Sequence, residues 1–334
     1  MEELAISEDT RERSVCAIHK WCIVLNHNTA ERGIEHLRMA AGQKNFGVLV
    51  VDNGSPADDW DQLRRYAVCA GIPVRIADDD AGAVPWLEEG IASCHRAFLL
   101  RRTLNLGYSA GNNIGLRALL ALCGEQLQVL IVNPDVAADT EAFGALLATK
   151  DAIVGPAVHE DYLGRVRDFE SDIDFALGFR LGKRRPRCMS AVGPILSGCC
   201  LKLSGRALES FGLLPEDNFL YDEELYYFER VHRMGGMPTY EPSIVVHHMG
   251  SASTNKSSFA YFYYIFRNRV NYYLRIARVQ YGGDIRFFLL LAQWSIGVSR
   301  RLLRTRNLDA LKGVWIGIAH GARGRLGRYD GAPR

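Results

Sequence analysis

The sequence predicts an α/β fold: a mostly parallel sheet flanked by helices, followed by a helical C-terminal region. Three observations carry this. Apolar runs of strand length alternate with helical stretches through the first 77 residues. The apolar run Val129, Leu130, Ile131, Val132 stops at an Asn133-Pro134-Asp135 turn. Beyond residue 258 the chain turns aromatic, apolar and basic. Strand–helix alternation calls for crossover helices, which lay successive strands parallel.

The elements follow in order. Residues 1–18 are polar and read as a flexible leader. Strands are expected at 21–25, 46–51 and 73–77, with helices at 31–41 and 58–69 between them. The acids Asp58 and Asp59 suit the start of the second helix. Residues 79–100 are hard to read: a loop, one or two helical turns at 86–92, then an extra strand or a lid edge at 95–100. Ser109, Ala110, Gly111, Asn112 and Asn113 open a helix that runs to about 123, and Gly107, Gly111 and Gly115 permit close backbone approach. Val129 to Val132 is a fully buried strand. A helix opens near Asp139. Another strand lies at 154–158, and one at 195–203 is interrupted by Ser197 and Gly198. Residues 159–187, with Lys183, Arg184 and Arg185 together, read as a mobile loop over the site. A last strand covers 244–246 and ends in His247 and His248.

Size and charge limit the function. The chain has 334 residues, 48% of them hydrophobic, enough for one large α/β domain with an appendage. A formal net charge of +2 argues against a dedicated nucleic-acid binder. The eight cysteines stand at irregular spacings with no CxxC, which fits free thiols in a reducing compartment. The first 20 residues hold no apolar core of signal-peptide length, and no run reaches 18 apolar residues. A cytoplasmic protein is expected, peripheral at the inner face of the membrane if it meets one.

The strand ends carry the chemistry. The first ends in Asn26, the second in Asp52 and Asn53, the third in Asp78, Asp79 and Asp80. Open α/β sheets bind ligands at this edge. Asn and Asp suit the base edges and ribose hydroxyls of a nucleoside, while Asp52 and Asn53 also suit an Asx turn before Gly54. No GxGxxG or GxxxxGK[ST] follows the first strand, so neither a dinucleotide fold nor a P-loop is supported. Asp135, locked between Pro134 and a buried strand, can hold a divalent cation, and the cation a diphosphate. It can equally belong to a capped turn.

The strings VVDNGS, NLGYSAGNN and IVNPDV resemble the nucleotide-binding half of inverting glycosyltransferase family 2. They are closest to the rhamnosyltransferase-like branch of bacterial cell-surface polysaccharide synthesis. The run ILSGCCLKLSGRALESFGLLPEDNFLYDEELYYFERVHRMGG resembles that branch's acceptor region, and the resemblance spans about 21–269. It implies a GT-A fold, with 19–139 as the nucleotide-sugar half and 140–256 as the acceptor half. Residues 257–322 form a helical C-terminal region and 323–334 a flexible tail. It implies that Asp52 binds the nucleoside, that Asn26 lines the same pocket, and that Asn105 and Asn112 shape the donor site, with Asn53, Asp78, Gly107 and Asn133 beside them. Asp135 takes the place of the family's metal-binding Asp, written here Asn-Pro-Asp. Residues 80–100 are longer than the family usually has there.

The acids Asp222, Glu223 and Glu224 are the second centre. Inverting transfer needs one carboxylate to deprotonate the acceptor hydroxyl, and countercharge for the leaving diphosphate. Adjacent carboxylates repel, which raises the proton affinity of one. The family has Asp where this chain has Glu224, one methylene longer. Glu224 is expected as the base and Glu223 as its partner, with Phe219 and Tyr221 stacking on a sugar ring and Arg230 orienting the cluster. The resemblance places His247 on the metal with Asp135, and Mg²⁺ or Mn²⁺ fits such a mixed N/O site. His248, one step along, would face the other way.

From Arg267 onward the chain carries 14 Arg or Lys against three acids. An apolar stretch at 287–298 followed by Arg300, Arg301, Arg304 and Arg306 suits either a peripheral membrane contact or a homodimer helix. The reading is a metal-dependent hexosyltransferase using a dTDP- or UDP-linked sugar donor, with dTDP-β-L-rhamnose first. The acceptor is a polysaccharide or lipid-linked saccharide. A non-catalytic nucleotide- or sugar-binding protein of the same fold is the alternative.

Overall fold

The computed structural model describes residues 18–77, 82–161, 164–167, 171–180, 189–250 and 258–331. The leader at 1–17, Asp78 to Asp80, and Lys183 to Arg185 lie outside the described residues.

The first half is a run of crossovers. β1 (Lys20–Asn26), α1 (Ala30–Ala41), β2 (Gly47–Asn53), α2 (Ala57–Cys69) and β3 (Val74–Ile76) follow in the expected order. Then come α3 (Ala83–Ala92), β4 (Ala97–Arg102), α4 (Tyr108–Cys123), β5 (Gln128–Val132) and α5 (Thr140–Ala148). Residues 83–102 are therefore not a lid. They form a helix and a strand, and β4 inserts between β2 and β3 in the sheet. Ala97, Phe98, Leu99 and Leu100 are all buried, which is why this run takes an interior position and leaves β3 at the edge.

The second half adds β6 (Ile153–Glu160), β7 (Arg165–Arg167), β8 (Ser171–Asp174), β9 (Phe179–Arg180), β10 (Val192–Ile195), β11 (Cys200–Ser204), α6 (Gly205–Phe211), α7 (Glu223–Arg233) and β12 (Thr239–His248). The main sheet runs β12-β6-β11-β5-β1-β2-β4-β3, with β7 on β6. Its pairs are parallel except those of β11 and β7. β10, β8 and β9 make a small antiparallel sheet. Residues 159–160, 165–167, 171–174 and 179–180 of the expected 159–187 loop are thus strands.

Alternation along each strand splits the core in two. Ile23, Leu25, Leu49, Val51, Phe98 and Leu100 face α3 and α4, and the same apolar cluster continues into α7. Cys22, Val24, Val48, Val50 and Leu99 face α1, α2 and α5. Both faces are covered, so the strands read as unbroken apolar runs.

The C-terminal region is helical, as expected: α8 (Phe259–Tyr272), a π-helical turn at Tyr273–Ala277, α9 (Arg278–Tyr281), α10 (Ile285–Arg304) and α11 (Leu308–Ala322). Gly313, Gly317 and Gly321 let α11 lie directly on α8. A Cβ on them would sit 2.5, 2.5 and 2.6 Å from the carbonyl oxygens of Phe259, Tyr263 and Arg267. The described part of the tail, residues 323–331, packs on α8. Arg267 Nη1 donates to the Gly327 carbonyl (2.5 Å), Asn271 Nδ2 to that of Arg325 (2.7 Å), and the Tyr329 N–H to the Tyr264 hydroxyl (2.9 Å). The Tyr329 ring lies 4.5 Å from that of Tyr263. These aromatic and polar anchors on α8 hold a segment whose composition alone suggests none.

Candidate active site

Parallel register brings the polar strand ends to one edge. Asn26 is paired with Asp52, and Asp52 with Arg101. Asp52 is fully buried; its Oδ1 accepts from Asn26 Nδ2 (3.0 Å) and Ser55 Oγ (2.5 Å). Oδ2 accepts no hydrogen bond and lies 3.7 Å from Arg101 Nε. Burial pushes the Asp52 carboxyl upward, against the pull of Ser55, Asn26 and Arg101. Asn26 spends its amide on Asp52, Ser55 and Asp59, and its carbonyl on Thr29. Neither residue is on the wall of the cavity described next. Both residues sit in a hydrogen-bond network that braces the strand ends.

That cavity holds about 700 Å³ and opens at the carboxyl ends of β1, β2 and β5. Asn53, Asn105, Gly107, Asn133, Asp135, Glu223 and Glu224 all line it. Asn53 Nδ2 donates to Asn105 Oδ1 (3.2 Å) and the Gly107 carbonyl (3.0 Å), while its Oδ1 accepts from the Leu106 N–H (3.0 Å). The NLG segment is thereby latched to β2. Gly107 has φ +88°, and a Cβ there would fall 2.2 Å from the Phe219 carbonyl oxygen, so only glycine fits. The Tyr108 N–H donates to that same carbonyl at 2.8 Å. Asn112 is fully buried, donates to the Tyr108 carbonyl (3.0 Å) and does not line the cavity. It braces the helix entry and stands back from the expected donor site.

The acid centre rests on a strained loop. Phe219, Tyr221 and Asp222 all have left-handed backbones, with φ of 64, 68 and 64°. Each such residue costs about 1–3 kcal/mol and persists only where its surroundings over-determine it. Three consecutive residues of α8 supply that. Arg267 Nη2 donates to the Asn218 carbonyl (2.5 Å). Asn268 Nδ2 donates to the carbonyls of Leu220 (2.8 Å) and Tyr221 (2.7 Å). Arg269 grips Asp222 with two bonds, Nη2 to Oδ1 at 2.6 Å and Nε to Oδ2 at 3.0 Å.

This loop delivers Glu223 and Glu224 to the first turn of α7. Glu224 Oε1 accepts from the Gly198 N–H at 3.1 Å. A Cβ on Gly198 would meet Oε1 at 2.3 Å, so the break between β10 and β11 exists to admit this carboxylate. The Tyr108 hydroxyl donates to the Gly198 carbonyl (2.6 Å) and fixes that backbone from the other side. Both glutamates are pushed up, chiefly by burial; the charge of Glu224 adds to the rise at Glu223. Desolvation outweighs the mutual repulsion expected from their adjacency. Glu223 Oε1 has no hydrogen-bond partner.

The structure places the other residues expected at this centre as follows. Arg230 does not orient the acids: it stacks on Tyr227 (5.4 Å) and donates to the Leu213 carbonyl, because its helix face turns toward the 211–214 turn. Phe219 and Tyr221 line the cavity, as the expected sugar contact requires, and their rings also pack on Tyr264 (5.3 Å) and Tyr261 (5.2 Å). His247 does not stand with Asp135. Its Nδ1 lies 2.9 Å from Asp161 Oδ1, and it is His248 Nε2 that lies 3.2 Å from Asp135 Oδ2. The cause is strand parity. The end of β12 crosses the Asp135 loop through a Val136–His248 bridge and the Ala137 N–H bond to the His247 carbonyl. That register turns His248 toward the cavity and His247 to the opposite side of the strand.

Asp135 and His248 thus offer an oxygen and a nitrogen to one cavity, a pair able to hold a divalent ion. Cys199, buried beside the Gly198 turn, feels the charges of both centres. Burial pushes its thiol up to about 12, and the charges of Asp135, Glu224 and Glu160 push the same way. Sequence reasoning missed Arg328, which lines the cavity with its guanidinium over Phe219. Arg328 had a signal in the arginine-rich tail.

No family model matches the chain. The chain is similar to several known proteins. One is the low-salt glycan biosynthesis hexosyltransferase Agl10 of Haloferax volcanii, 26% identical over 243 residues, which cover 68% of this chain and 76% of that protein. Among solved structures, glucosyl-3-phosphoglycerate synthase from Mycobacterium tuberculosis aligns with a TM-score of 0.43 and 14% identity over 76% of this chain and 80% of that one. That structure contains Mn²⁺, UDP and glucosyl-3-phosphoglycerate. Another of the same enzyme, with Mg²⁺ and UDP, aligns at 0.41 and 15%.

Proposed function

We propose that the chain is an inverting glycosyltransferase of the GT-A type, moving a sugar from a nucleotide-diphosphate donor to a hydroxyl of a saccharide or lipid-linked saccharide. The observation that carries this is the meeting of Asp135–His248 and Glu224 on one cavity at the carboxyl edge of the sheet. The 26% likeness to a hexosyltransferase supports the same reading.

Glu224 is the base. Burial raises its proton affinity, and the Gly198 N–H holds one oxygen, leaving the other for the acceptor hydroxyl. As that proton passes to Glu224, the hydroxyl oxygen bonds to the anomeric carbon and the bond from that carbon to the diphosphate oxygen breaks. One displacement inverts the centre. Asp135 and His248 would hold Mg²⁺ or Mn²⁺, which when bound supplies positive charge to the diphosphate. Arg328 adds a second positive charge at the cavity rim. The donor is dTDP-β-L-rhamnose, giving an α-linked product, with a UDP-sugar as the runner-up; the motif resemblance supports that order.

The acceptor enters past Tyr261 and Asp222. Both residues also line an adjoining cleft of about 770 Å³ between α8 and α10. A lipid-linked acceptor would bring the enzyme to a membrane surface through α10. No helix of the described residues is long and apolar enough to cross a membrane.

Calorimetric titration of the purified chain with dTDP and UDP, with and without Mn²⁺, tests the donor site. Binding that needs Mn²⁺ and is lost in Asp135→Ala is expected. Equal binding by wild type and variant would remove Asp135 from the site.

A further inference from the structure

The corrected position of His247 creates a second cluster. Parallel register sets His247 on β12 directly beside His159 on β6, with ring centroids 5.0 Å apart. Side chains alternate along a strand, so both imidazoles stand on the side of β12 turned away from His248 and the cavity. Asp161, one residue past the end of β6, brings its carboxylate to both. Its Oδ1 lies 2.6 Å from His159 Nδ1 and 2.9 Å from His247 Nδ1. The three ligand atoms all lie within 4.8 Å of one another.

The chemistry of this set differs from that of the cavity. Two imidazole nitrogens with one carboxylate oxygen favour zinc, cobalt or nickel over magnesium or calcium. Both histidines sit on paired strands, which fixes their spacing before any ion arrives. The His247 side chain is 53% exposed, so an ion there keeps open positions for water. Glycosyl transfer as described above uses none of the three.

We propose that His159, Asp161 and His247 form a second metal site, taking Zn²⁺ or a transition ion of its class, at the ends of β6 and β12. An ion there ties the two strand ends together. The His247 carbonyl already accepts from Ala137, and His248 follows at once, so the clamp steadies the strand end that presents His248 to Asp135. The site stands whether or not the proposed transferase activity does.

Cobalt is the probe. Full-length, tag-free chain stripped by chelation is titrated with Co²⁺ and followed by visible absorption, then challenged with Zn²⁺ and with millimolar Mg²⁺. The wild type is expected to bind Co²⁺ with nitrogen-ligated bands that Zn²⁺ abolishes and Mg²⁺ leaves. Loss of an outer-shell partner alone weakens metal sites about 10–100-fold, so loss of a ligand in His159→Gln or Asp161→Asn should weaken binding at least ~10-fold. Asp135→Asn should keep the bands. The proposal falls if Asp135→Asn removes all Co²⁺ binding, or if both His159→Gln and Asp161→Asn bind as the wild type does. The three side chains are at least partly exposed, and circular dichroism is the check that the variants fold.

Discussion

Gly198→Ala tests the placement of the base without touching any charge. An added Cβ would lie 2.3 Å from Glu224 Oε1, and real Cβ contacts keep at least 3.0 Å, so the carboxylate must retreat by about 0.7 Å. It would also lengthen its 3.1 Å bond to the residue 198 N–H, a hydrogen bond to a charged group worth about 1.5–3 kcal/mol. A misplacement near 1 Å costs about 10²-fold in rate. The expected result is a ~10²-fold fall in kcat with donor affinity unchanged, since Gly198 meets Glu224 and not Asp135. The assay is released nucleotide under saturating donor, beside calorimetric donor binding. A variant with wild-type kcat would refute the view that Glu224 acts from the position Gly198 gives it. Parallel loss of donor binding would place the carboxylate in the donor site instead.

Four further outcomes are expected. Glu224→Gln keeps shape and loses the proton acceptor, so transfer should slow by at least ~10²-fold with donor binding intact; a larger loss in Glu223→Gln would exchange their roles. Glu223 has its folded pKa raised by burial, so its contribution to stability is present at low pH and lost as pH rises through that folded value. Thermal melts should therefore show Glu223→Gln more stable than wild type at alkaline pH, with the gap closing on acidification. Asp222→Asn breaks a two-bond ion pair whose side chains are only 16% and 12% exposed, which should cost about 3–5 kcal/mol in denaturant unfolding. If α10 meets an anionic leaflet, sedimentation with anionic vesicles should weaken with salt and vanish when Arg300, Arg301, Arg304 and Arg306 become Gln; a dimer helix would give no vesicle binding and a mass change in Leu289→Asp.

That last choice of residue comes from the structure. The sequence shows apolar residues nearly all round the first turns of α10. The fold buries Phe287 and Leu291 and leaves Phe288 and Leu289 48% and 63% exposed. Leu291→Asp would test the core, whereas Leu289→Asp tests a surface. The same distinction runs through the whole chain. Strand runs and strand ends were legible because burial on both faces writes an unbroken apolar code, and the polar stop after it is abrupt. β4 was not, since a short apolar run after a loop suits a lid edge as well as an interior strand. The carboxylates Asp135, Glu223 and Glu224 could be picked out by residue type and position. The histidine beside Asp135 could not, because one residue of strand register decides between His247 and His248. Long-range grips were the hardest to read. Arg267, Asn268 and Arg269 hold a loop about 50 residues earlier in the chain, and the 323–331 segment packs on α8 although its composition suggests a loose end.

Free nucleotide release, screened over dTDP- and UDP-linked sugars with and without saccharide acceptors, tests the central claim most directly. The wild type should release nucleotide diphosphate from one donor class in a divalent-ion-dependent, acceptor-stimulated reaction, with Asp135→Ala and Glu224→Gln silent beside it. Release that is the same in wild type and both variants, or none from any nucleotide sugar, would contradict it.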